Sequence, residues 1–385
     1  MLTGREYNLV KMGESYNIGF IGTSWITRRI HIPCAGSHSA ARLWAVCGRD
    51  EHRANEVAKE FETKQVYTDW RTLLDDPKLD IVVIGTPDDL HYPMALAALD
   101  RGLHVICERP LATNSDLAYE MYATSVKHRL RTMSYLPWRW FPPMCQVKEL
   151  ITAGYVGKPH YFFSEMGIAN HHRNGDYHWT FDKGRANGVI GTVGSDCIDC
   201  AQWMMGDIAR IAASERIVSH YRPRGGRKFK QAGDAAAMVV EFDTGAHGAL
   251  YVTANASELT LRIQVEGCDG AIEMLYRPFS GLFELRARGH GDRRFTNVTP
   301  FRAFTRHHRR GGKFEEFVRR FVQNESFGER LFLDNLINDD SMSPSFLDGL
   351  RIQEVMDAAM QSTESGCSEK VVSRMAEAGH EMGVT

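Results

Sequence analysis

A short glycine-containing turn near the start of the chain has the composition of a phosphate-binding loop. Residues 19–27 read G-F-I-G-T-S-W-I-T and begin inside an apolar run that predicts a strand. A dinucleotide-binding turn carries the pattern G-x-G-x-x-G, with glycines for the tight turn, for close approach of the pyrophosphate and for helix packing. Here only Gly22 fits, while Ser24 and Thr27, which are small and can hydrogen-bond a phosphate at a helix N-terminus, occupy the other two positions. We expect Gly22, Thr23, Ser24, Trp25 and Ile26 to bind a dinucleotide, although a strand-to-helix turn without a ligand remains an alternative.

The end of the next apolar run indicates which dinucleotide this is. A pocket for NAD has an Asp or Glu here for the ribose hydroxyls, whereas this chain reads Cys47-Gly48-Arg49-Asp50. An arginine suits the extra phosphate of NADP, because its planar guanidinium can form two parallel hydrogen bonds to phosphate oxygens. We therefore predict that Gly48, Arg49 and Arg53 favour NADP over NAD. The alternative is that Arg49 is an ordinary surface residue.

The hydrophobic periodicity predicts the strands and helices that position these residues. Apolar runs at residues 17–21, 42–47, 81–84 and 104–107 predict strands, and the segments between them predict amphipathic helices. Strands that alternate with helices in this way form right-handed βαβ units around a parallel sheet. The sequence thus predicts an α/β domain over residues 1–135, with a doubly wound parallel sheet of the nucleotide-binding kind.

The pattern changes after residue 135. Alternating apolar residues, with a hairpin over 236–243 and 247–254, predict an α+β domain over residues 136–385 with a large, mostly antiparallel sheet. Apolar stripes near residues 314–321 and 352–359 predict two late helices that must pack on a surface, for which the first domain is one candidate. The Asn-, Asp- and Ser-rich segment 325–343 is predicted to be a loop or insertion.

Composition excludes several classes of protein. The 385 residues contain 46 Lys+Arg and 48 Asp+Glu, so a large basic surface for nucleic acid or membrane lipids is not expected. No apolar run approaches the roughly 20 residues that span a bilayer, and the N-terminal segment lacks a secretory signal, which predicts a cytoplasmic protein. The eight cysteines are scattered and are expected to be largely buried free thiols, since Cys197 and Cys200 form the only pair with C-x-x-C spacing.

Several motifs resemble those of the glucose-fructose oxidoreductase / inositol dehydrogenase (Gfo/Idh/MocA) family. They read G-T-P-D-D-L-H at 85–91, C-E-R-P-L-A at 107–112, R-W-F-P at 139–142, G-Y-V-G at 154–157, G-S-D-C-I-D at 194–199, and P-S-F at 344–346 with D-G at 348–349. The resemblance covers almost the whole chain in order. It implies an N-terminal Rossmann domain, a C-terminal α+β domain and cofactor contacts at Thr86, Pro87, His91, Glu108 and Arg109.

The chain departs from this family where the chemistry is expected. Arg109 replaces the lysine of the E-K-P motif, and Thr192 and Asp196 replace the Asp and His of the D-x-x-x-H motif. An arginine stays protonated, so Arg109 can orient a substrate oxygen and stabilise negative charge but is a poor acid or base. Asp196 is then the candidate base, since a carboxylate in a closed site can take a proton from a hydroxyl. The alternative is that Arg109 and Asp196 only form an ion pair.

A loop before the altered motif offers further candidates. Residues 170–179 read N-H-H-R-N-G-D-Y-H-W, where Tyr177 or His178 could carry the proton function and Trp179 could stack on a sugar ring. Within the family-like segments, Arg139 and Asp199 are expected to contact substrate. The three histidines of the loop, together with Asp176 and Asp182, match no zinc spacing, so no metal site is predicted. For any one of these histidines, a solvated or structural role is the alternative.

Two basic clusters and one face of the second sheet are relevant to the partners that the protein binds. Residues 222–230 and 302–310 are rich in Arg and Lys and are expected to be solvated surface, with a phosphorylated substrate or a subunit contact as alternatives. If helices leave one face of the second sheet uncovered, the resemblance implies a homodimer or homotetramer built on that face.

The sequence thus predicts an NAD(P)-dependent oxidoreductase acting on a secondary hydroxyl or ketone of a sugar, cyclitol or glycoside, with NADP preferred. A second hypothesis is a nucleotide- and sugar-sensing regulatory protein, because all three catalytic positions are replaced. A third is the reduction of an imine or enamine, for which the proton requirement differs.

Overall fold

The structure is a computed structural model that describes residues 15–169, 176–221, 228–308 and 313–376. The chain divides into two units, and the first draws its described residues from 1–112, 116–137 and 318–350. The second draws them from 113–115, 138–317 and 351–385. The first unit is thus discontinuous, because it includes a late segment that a single boundary at residue 135 would assign to the second domain.

The elements of the first half of the chain alternate strand and helix. In order they are β1 (Tyr16–Ile21), a π-helical turn (Thr27–His31), α1 (Ile32–Gly36), β2 (Ala41–Cys47), α2 (Glu51–Phe61), β3 (Gln65–Tyr67), α3 (Trp70–Leu74), β4 (Ile81–Ile84), a 3-10 turn (Asp88–Leu90), α4 (His91–Asp100), β5 (His104–Glu108), α5 (Ser115–Lys127) and β6 (Thr132–Tyr135).

Strands β1 to β6 form one six-stranded sheet in the order β3-β2-β1-β4-β5-β6, and every pair is parallel. All four residues of β4 are buried, as expected for a strand covered on both faces. The carboxyl ends of β1, β2, β4 and β5 therefore meet at one edge, which is where ligands bind in open α/β sheets. The predicted doubly wound parallel sheet is confirmed.

The later elements of the chain are strands, helices and helical turns. They are a 3-10 turn (Pro137–Trp140), α6 (Pro142–Thr152), β7 (Pro159–Ala169), a 3-10 turn (Trp179–Phe181), a π-helical turn (Ile190–Gly194), α7 (Ser195–Met205), β8 (Ile208–Arg216), β9 (Ala235–Phe242), β10 (His247–Ala256), β11 (Thr260–Gly267), β12 (Ala271–Arg277), β13 (Leu282–Arg288), β14 (Thr296–Asn297), α8 (Arg302–His307), α9 (Phe314–Asn324), α10 (Gly328–Asn338), α11 (Phe346–Ser365) and β15 (Glu369–Lys370).

Strands β7 to β15 form a nine-stranded sheet in the order β14-β13-β12-β11-β7-β10-β9-β8-β15. Its pairs are antiparallel except β7 with β10, which are parallel. Residues alternate between buried and exposed along β9, and Val239 on the exposed face is 57% accessible. The predicted α+β architecture with a mostly antiparallel sheet is confirmed.

The prediction of a loop over residues 325–343 is wrong. Residues Gly328–Asn338 form α10, and Phe332, Leu333 and Leu336 bury one face of that helix. These three residues have the spacing of an amphipathic helix, but the Asn, Asp and Ser residues around them obscured it.

The prediction that the cysteines are largely buried free thiols agrees with the structure. None of the eight forms a disulfide, and Cys34, Cys47, Cys107, Cys197 and Cys200 are buried. Within the described part of the chain, no helix has the length and apolar character that a membrane crossing requires.

Candidate functional site

Gly22 lies where the loops after β1 and β4 meet. Its φ angle is +119°, and a Cβ atom at this position would come within 2.4 Å of the carbonyl oxygen of Gly85. The Gly85 N–H donates to Ile21 O at 2.9 Å, so a backbone hydrogen bond ties the loop after β4 to the end of β1. A side chain is therefore excluded at Gly22, which leaves the backbone accessible to a close ligand, as a dinucleotide-binding turn requires.

Ser24 and Thr27, which replace the other two glycines, face each other. Their hydroxyl oxygens are 3.2 Å apart, and the Arg28 N–H donates to Ser24 O at 3.1 Å, so helical hydrogen bonding begins at Ser24. Trp25 is half exposed in this first turn, and Ile26 directly precedes the π-helical turn. The start of this helix provides N–H groups of the kind that bind phosphate.

The loop after β2 has no free carboxylate at its tip. Gly48 is buried, and a Cβ atom on it would come within 2.7 Å of the Thr23 Cγ2 methyl. Asp50 caps α2 by accepting a hydrogen bond from the Arg53 N–H at 3.1 Å. Arg49 is exposed, and Arg53 donates to Thr23 O at 3.2 Å. The two arginines predicted to select NADP thus flank a position that cannot hold an acidic side chain without a shift of Thr23.

His91 holds together the loops that follow β4 and β5. Its Nδ1 lies 2.8 Å from Pro110 O, and its Nε2 lies 2.9 Å from Thr86 O. Burial lowers the pKa of His91, although the two carbonyl contacts act against that shift. Pro87 begins the 3-10 turn that carries the chain into α4. Because both ring nitrogens of His91 contact backbone carbonyls, this residue orders the predicted cofactor loop from within.

Glu108 and Arg109 belong to a buried chain of charges. The Arg109 guanidinium lies 3.7 Å from Glu108 Oε2, while Glu108 Oε1 lies 3.1 Å from His31 Nε2. The other ring nitrogen of His31 lies 2.5 Å from Glu329 Oε1 of α10. His31 and Glu329 are fully buried, whereas the Arg109 side chain is 25% exposed.

The electrostatics of this chain of charges keep both central groups ionised. Burial alone would lower the pKa of His31, but Glu329 and Glu108 raise it from 6.5 to about 10. Burial alone would likewise raise the pKa of Glu108, but His31 and Arg109 hold it below its usual value. His31 and Glu329 were not among the site residues predicted from the sequence. Glu329 could not be recognised because its helix was interpreted as a loop.

In the second unit, the predicted substrate residues Arg139 and Asp199 bind each other. Arg139 Nη2 lies 2.6 Å from Asp199 Oδ1, and Arg139 Nε lies 2.9 Å from the same oxygen and 3.1 Å from Asp199 Oδ2. Their side chains are only 11% and 1% exposed. This buried ion pair joins α7 to the 3-10 turn before α6, and substrate contact by either residue stays a prediction.

Thr192 and Asp196 lie on either side of the junction between a π-helical turn and α7. The Thr192 hydroxyl donates to Gly188 O at 3.0 Å, and Asp196 is buried in the first turn of α7. Their roles in catalysis stay predictions.

The candidates of the preceding loop are described only in part. Residues 170–175, including His171 and His172, lie outside the described residues, as do 222–227 and 309–312 of the two basic clusters. The Tyr177 hydroxyl donates to Asp182 Oδ2 at 3.0 Å, and the rings of His178 and Trp179 lie 5.4 Å apart. Among the residues that are described, no three His, Cys, Asp or Glu side chains gather as metal ligands.

Comparisons with known proteins agree with this geometry. The sequence model described as "Oxidoreductase family, NAD-binding Rossmann fold" matches residues 16–136, and the one described as "GFO/IDH/MocA C-terminal domain" matches residues 144–273. Levoglucosan dehydrogenase of Pseudarthrobacter phenanthrenivorans is 27% identical over 337 residues, which are 80% of this chain and 84% of that protein. D-xylose 1-dehydrogenase (NADP(+)) 2 of Haloferax volcanii is 35% identical over 137 residues, 35% of this chain and 41% of that protein.

A solved structure has the same fold. Levoglucosan dehydrogenase in complex with NADH and levoglucosan superimposes with a TM-score of 0.82 at 23% sequence identity. The match covers 94% of this chain and 100% of that one.

Proposed function

Because this chain belongs to the Gfo/Idh/MocA family of oxidoreductases, with an NAD-binding Rossmann domain, we propose that it oxidises a secondary hydroxyl of a sugar, cyclitol or glycoside, or reduces the corresponding ketone. The relatives named above act, by their names, on levoglucosan and on D-xylose. Both compounds are polyhydroxylated rings, and this shared chemistry is the basis for the proposed substrate class.

The proposal rests on Gly22, where the carboxyl edge of the six-stranded sheet has no room for a side chain. A dinucleotide fits this edge because its pyrophosphate needs close contact with backbone N–H groups, and a Cβ at Gly22 would collide with Gly85 O. We assign the pyrophosphate to residues 22–26 and the nicotinamide side to Thr86, Pro87, Glu108 and Arg109. When bound, the nicotinamide supplies the hydride acceptor or donor.

We propose that the preferred cofactor is NADP, with NAD as the weaker ligand. Arg49 and Arg53 offer cationic groups beside Gly48, and the nearest carboxylate, Asp50, is engaged in capping α2. The pocket therefore favours an added phosphate over a free ribose hydroxyl.

Arg109 contributes charge to the proposed reaction. Its guanidinium stays protonated, so it stabilises negative charge on a substrate oxygen and cannot exchange a proton. The reaction therefore needs a separate proton acceptor, for which the sequence offers Asp196 of α7. The proposed activity does not depend on which carboxyl has this task.

The regulatory alternative rests on the replaced motifs. Arg109, Thr192 and Asp196 all differ from the family pattern, and the Thr192 hydroxyl is bonded within its own helical turn. A protein that binds the nucleotide and a sugar without turning them over would have the same cofactor edge.

One experiment separates the two. The protein is incubated with NADP or NAD and a panel of levoglucosan, D-xylose, inositols and glycosides, and the absorbance of the reduced nicotinamide is followed beside the thermal unfolding temperature. We expect cofactor-dependent stabilisation together with turnover of at least one polyol. Stabilisation by cofactor with no turnover on any member of the panel would favour the sensor.

Cofactor preference has its own test. Gly48→Asp alone should lose affinity for both cofactors, because the new side chain collides with the Thr23 methyl. Thr23→Ser/Gly48→Asp, which removes that methyl, should instead prefer NAD. Dissociation constants for both cofactors from fluorescence titration decide this point, and tighter binding of NAD by the unaltered protein would contradict the assignment.

We also propose that the chain forms a homodimer or homotetramer through the exposed face of the nine-stranded sheet. Val239 of β9 and Tyr251 of β10 are 57% and 40% exposed on that face. Sedimentation of the unaltered protein and of Val239→Glu tests this assignment, since a new buried charge would weaken such an interface.

A further inference from the structure

His31 links the helix after the predicted pyrophosphate-binding turn to the end of β5. It is the last residue of the π-helical turn Thr27–His31, in the helical segment whose hydrogen bonding begins at Ser24. Its Nε2 lies 3.1 Å from Oε1 of Glu108, the last residue of β5. One buried imidazole therefore connects the two segments that are assigned to the two ends of the cofactor.

The imidazole ring of His31 is fixed on three sides. Its Nε2 faces Glu108, and its Nδ1 lies 2.5 Å from Glu329 Oε1 of α10. The Tyr135 ring packs edge-on against it, with 4.4 Å between the ring centroids. Two ionised carboxylates, which only accept hydrogen bonds, each require a hydrogen on the ring nitrogen that faces them. The contacts themselves thus make His31 an imidazolium.

Glu329 occupies a place where packing alone does not call for a charge. Its side chain is fully buried, and among the described residues nothing hydrogen-bonds its Oε2 atom. The other buried residues of α10 are glycine or apolar, namely Gly328, Phe332, Leu333 and Leu336. Apolar residues in place of a buried ion pair are often equally stable or more stable. A carboxylate here therefore indicates a role beyond stability, which is to hold the charge and the orientation of His31.

Glu108 transmits this constraint to Arg109. Its Oε1 atom faces His31, while its Oε2 accepts a hydrogen bond from the Arg109 backbone N–H at 3.3 Å and lies 3.7 Å from the Arg109 guanidinium. A carboxylate that is held at one oxygen cannot rotate without breaking that contact, so its second oxygen has a fixed position. The position of the partly exposed guanidinium thus depends on a buried group at the far side of Glu108.

We propose that Glu329 and His31 are positioning residues for Arg109. Glu329 orients His31, His31 fixes the Glu108 carboxylate, and Glu108 sets the position of the guanidinium. Neither Glu329 nor His31 needs to touch a ligand, because both act through the cation that is assigned to the substrate oxygen. This inference rests on the proposed oxidoreductase function.

Glu329→Gln is the sharpest change, because it removes the charge and keeps the shape of the side chain. Burial lowers the pKa of His31, and Glu329 is the largest of the influences that raise it to about 10. The other titratable groups near the ring are Glu108, Tyr135 and Cys34, and burial raises the pKa of the phenol and of the thiol, so both keep their protons. In the variant, His31 should therefore lose its proton as pH rises through the neutral range.

The first test requires no turnover. Proteins labelled with ¹⁵N in the side chains of His and Arg are compared by NMR, with signals assigned from His31→Gln and Arg109→Lys. In the unaltered protein, both ring nitrogens of His31 should carry hydrogen at pH 8. In Glu329→Gln, His31 should lose a proton between pH 6 and pH 8, and the Arg109 Nε–H signal should shift with the same midpoint.

Asp334→Asn is the matched control for this test. Asp334 also belongs to α10 and also contacts a histidine, His38, at 3.1 Å, but it is much more exposed than Glu329. The control should leave both signals in place. A neutral His31 at pH 8 in the unaltered protein overturns the proposal, and so does an Arg109 signal that stays in place while His31 titrates in Glu329→Gln. These outcomes hold whether or not the protein turns over a substrate.

The second test follows the ratio of kcat in Glu329→Gln to kcat in the unaltered protein from pH 6 to pH 8, well below the thermal unfolding temperature of both. We expect a ratio near one at pH 6, where His31 is charged in both proteins. At pH 8 we expect a loss of about 100-fold, the effect of a displacement of roughly 1 Å in a reacting geometry, with little change in the Kd for NADP. A reduced ratio that does not vary with pH would indicate a purely structural role and contradict the proposal.

A double-variant cycle tests the route through Glu108. If Glu329 acts through Glu108, Glu329→Gln should have little further effect on kcat in a protein that already carries Glu108→Gln. Losses that multiply would mean that the two residues act independently, and the proposal would then be wrong. If Glu329→Gln does not fold, the protonation of His31 in the unaltered protein still decides.

Discussion

A buried group of opposite charges is present in each unit, and the two groups are built differently. In the second unit, Arg139 and Asp199 form a closed pair with three short contacts and almost no exposure. In the first unit, Glu329, His31, Glu108 and Arg109 form an open chain whose last member is partly exposed. The Arg139–Asp199 pair is shielded from solvent, whereas the Arg109 side chain of the other group is 25% exposed and so is accessible to a ligand.

The difference teaches that burial of charge alone does not identify a reactive site. Both groups include residues of family-like motifs. Their geometry nevertheless indicates a structural role for the pair in the second unit and an electrostatic role for the group in the first. Substitutions can test whether this division is correct.

The largest effect is expected at Asp199. Asp199→Asn leaves the buried Arg139 guanidinium without its counter-ion, and loss of one partner of a buried pair costs about 3–5 kcal/mol. The free energy of unfolding by urea measures this change. Arg139→Met/Asp199→Leu is the control, because replacing both charges by apolar side chains of similar size should recover most of the loss. If Asp199→Asn instead weakens substrate binding and leaves stability unaltered, the pair belongs to the substrate site.

A smaller, pH-dependent effect is expected at His31. Its pKa is raised from 6.5 to about 10 in the folded protein, so its contribution to stability is complete below pH 6.5 and is lost as pH rises through 10. His31→Gln should cost about 2–3 kcal/mol near pH 6, as expected for hydrogen bonds to charged groups, and should flatten the decline of stability above pH 6.5.

The control for His31 is the more accessible pair of His38 and Asp334, which lie 3.1 Å apart. His38→Gln should change the free energy of unfolding by less than about 1 kcal/mol, since Asp334 is well exposed to solvent. Unfolding curves recorded from pH 6 to pH 10 compare the two variants. If the free energy of unfolding depends on pH in His31→Gln as it does in the unaltered protein, His31 is not the charged group described here.

The smallest effect is expected at Thr192. Thr192→Val removes one hydrogen bond to Gly188 O and should cost about 1 kcal/mol without changing turnover. Thr192→Ser, which keeps the hydroxyl, is the matched control. A tenfold loss of kcat in the valine variant with unchanged stability would instead make Thr192 a catalytic group.

Most of the first sheet could be predicted because local patterns encode it. The run Ile81–Ile84 has no polar residue, and its burial follows directly from that composition. Gly22 could be recognised because the need for a residue without Cβ is also local. Arg109, Thr192 and Asp196 could be marked as unusual only through the family resemblance.

The remaining features depend on contacts between distant parts of the chain. Glu329 meets His31 across 298 residues, and Arg139 meets Asp199 across 60, so no spacing rule could pair them. Asp88 belongs to the motif at residues 85–91, but its burial and the lack of a hydrogen-bond partner at its Oδ2 atom among the described residues are properties of the folded chain. Helix α10 was missed because its polar neighbours hid a three-residue apolar face.

The discontinuity of the first unit has a consequence for the order of synthesis. Residues 138–317, which are 180 residues, separate its early segments from residues 318–350. At about 5–20 residues per second, a ribosome needs roughly ten to forty seconds to make that insert. During this interval the emerging Rossmann sheet lacks α10, and His31 lacks the carboxylate of Glu329. The first part of the chain to leave the ribosome is therefore among the last to be completed, and this waiting period is when a chaperone would be most useful to it.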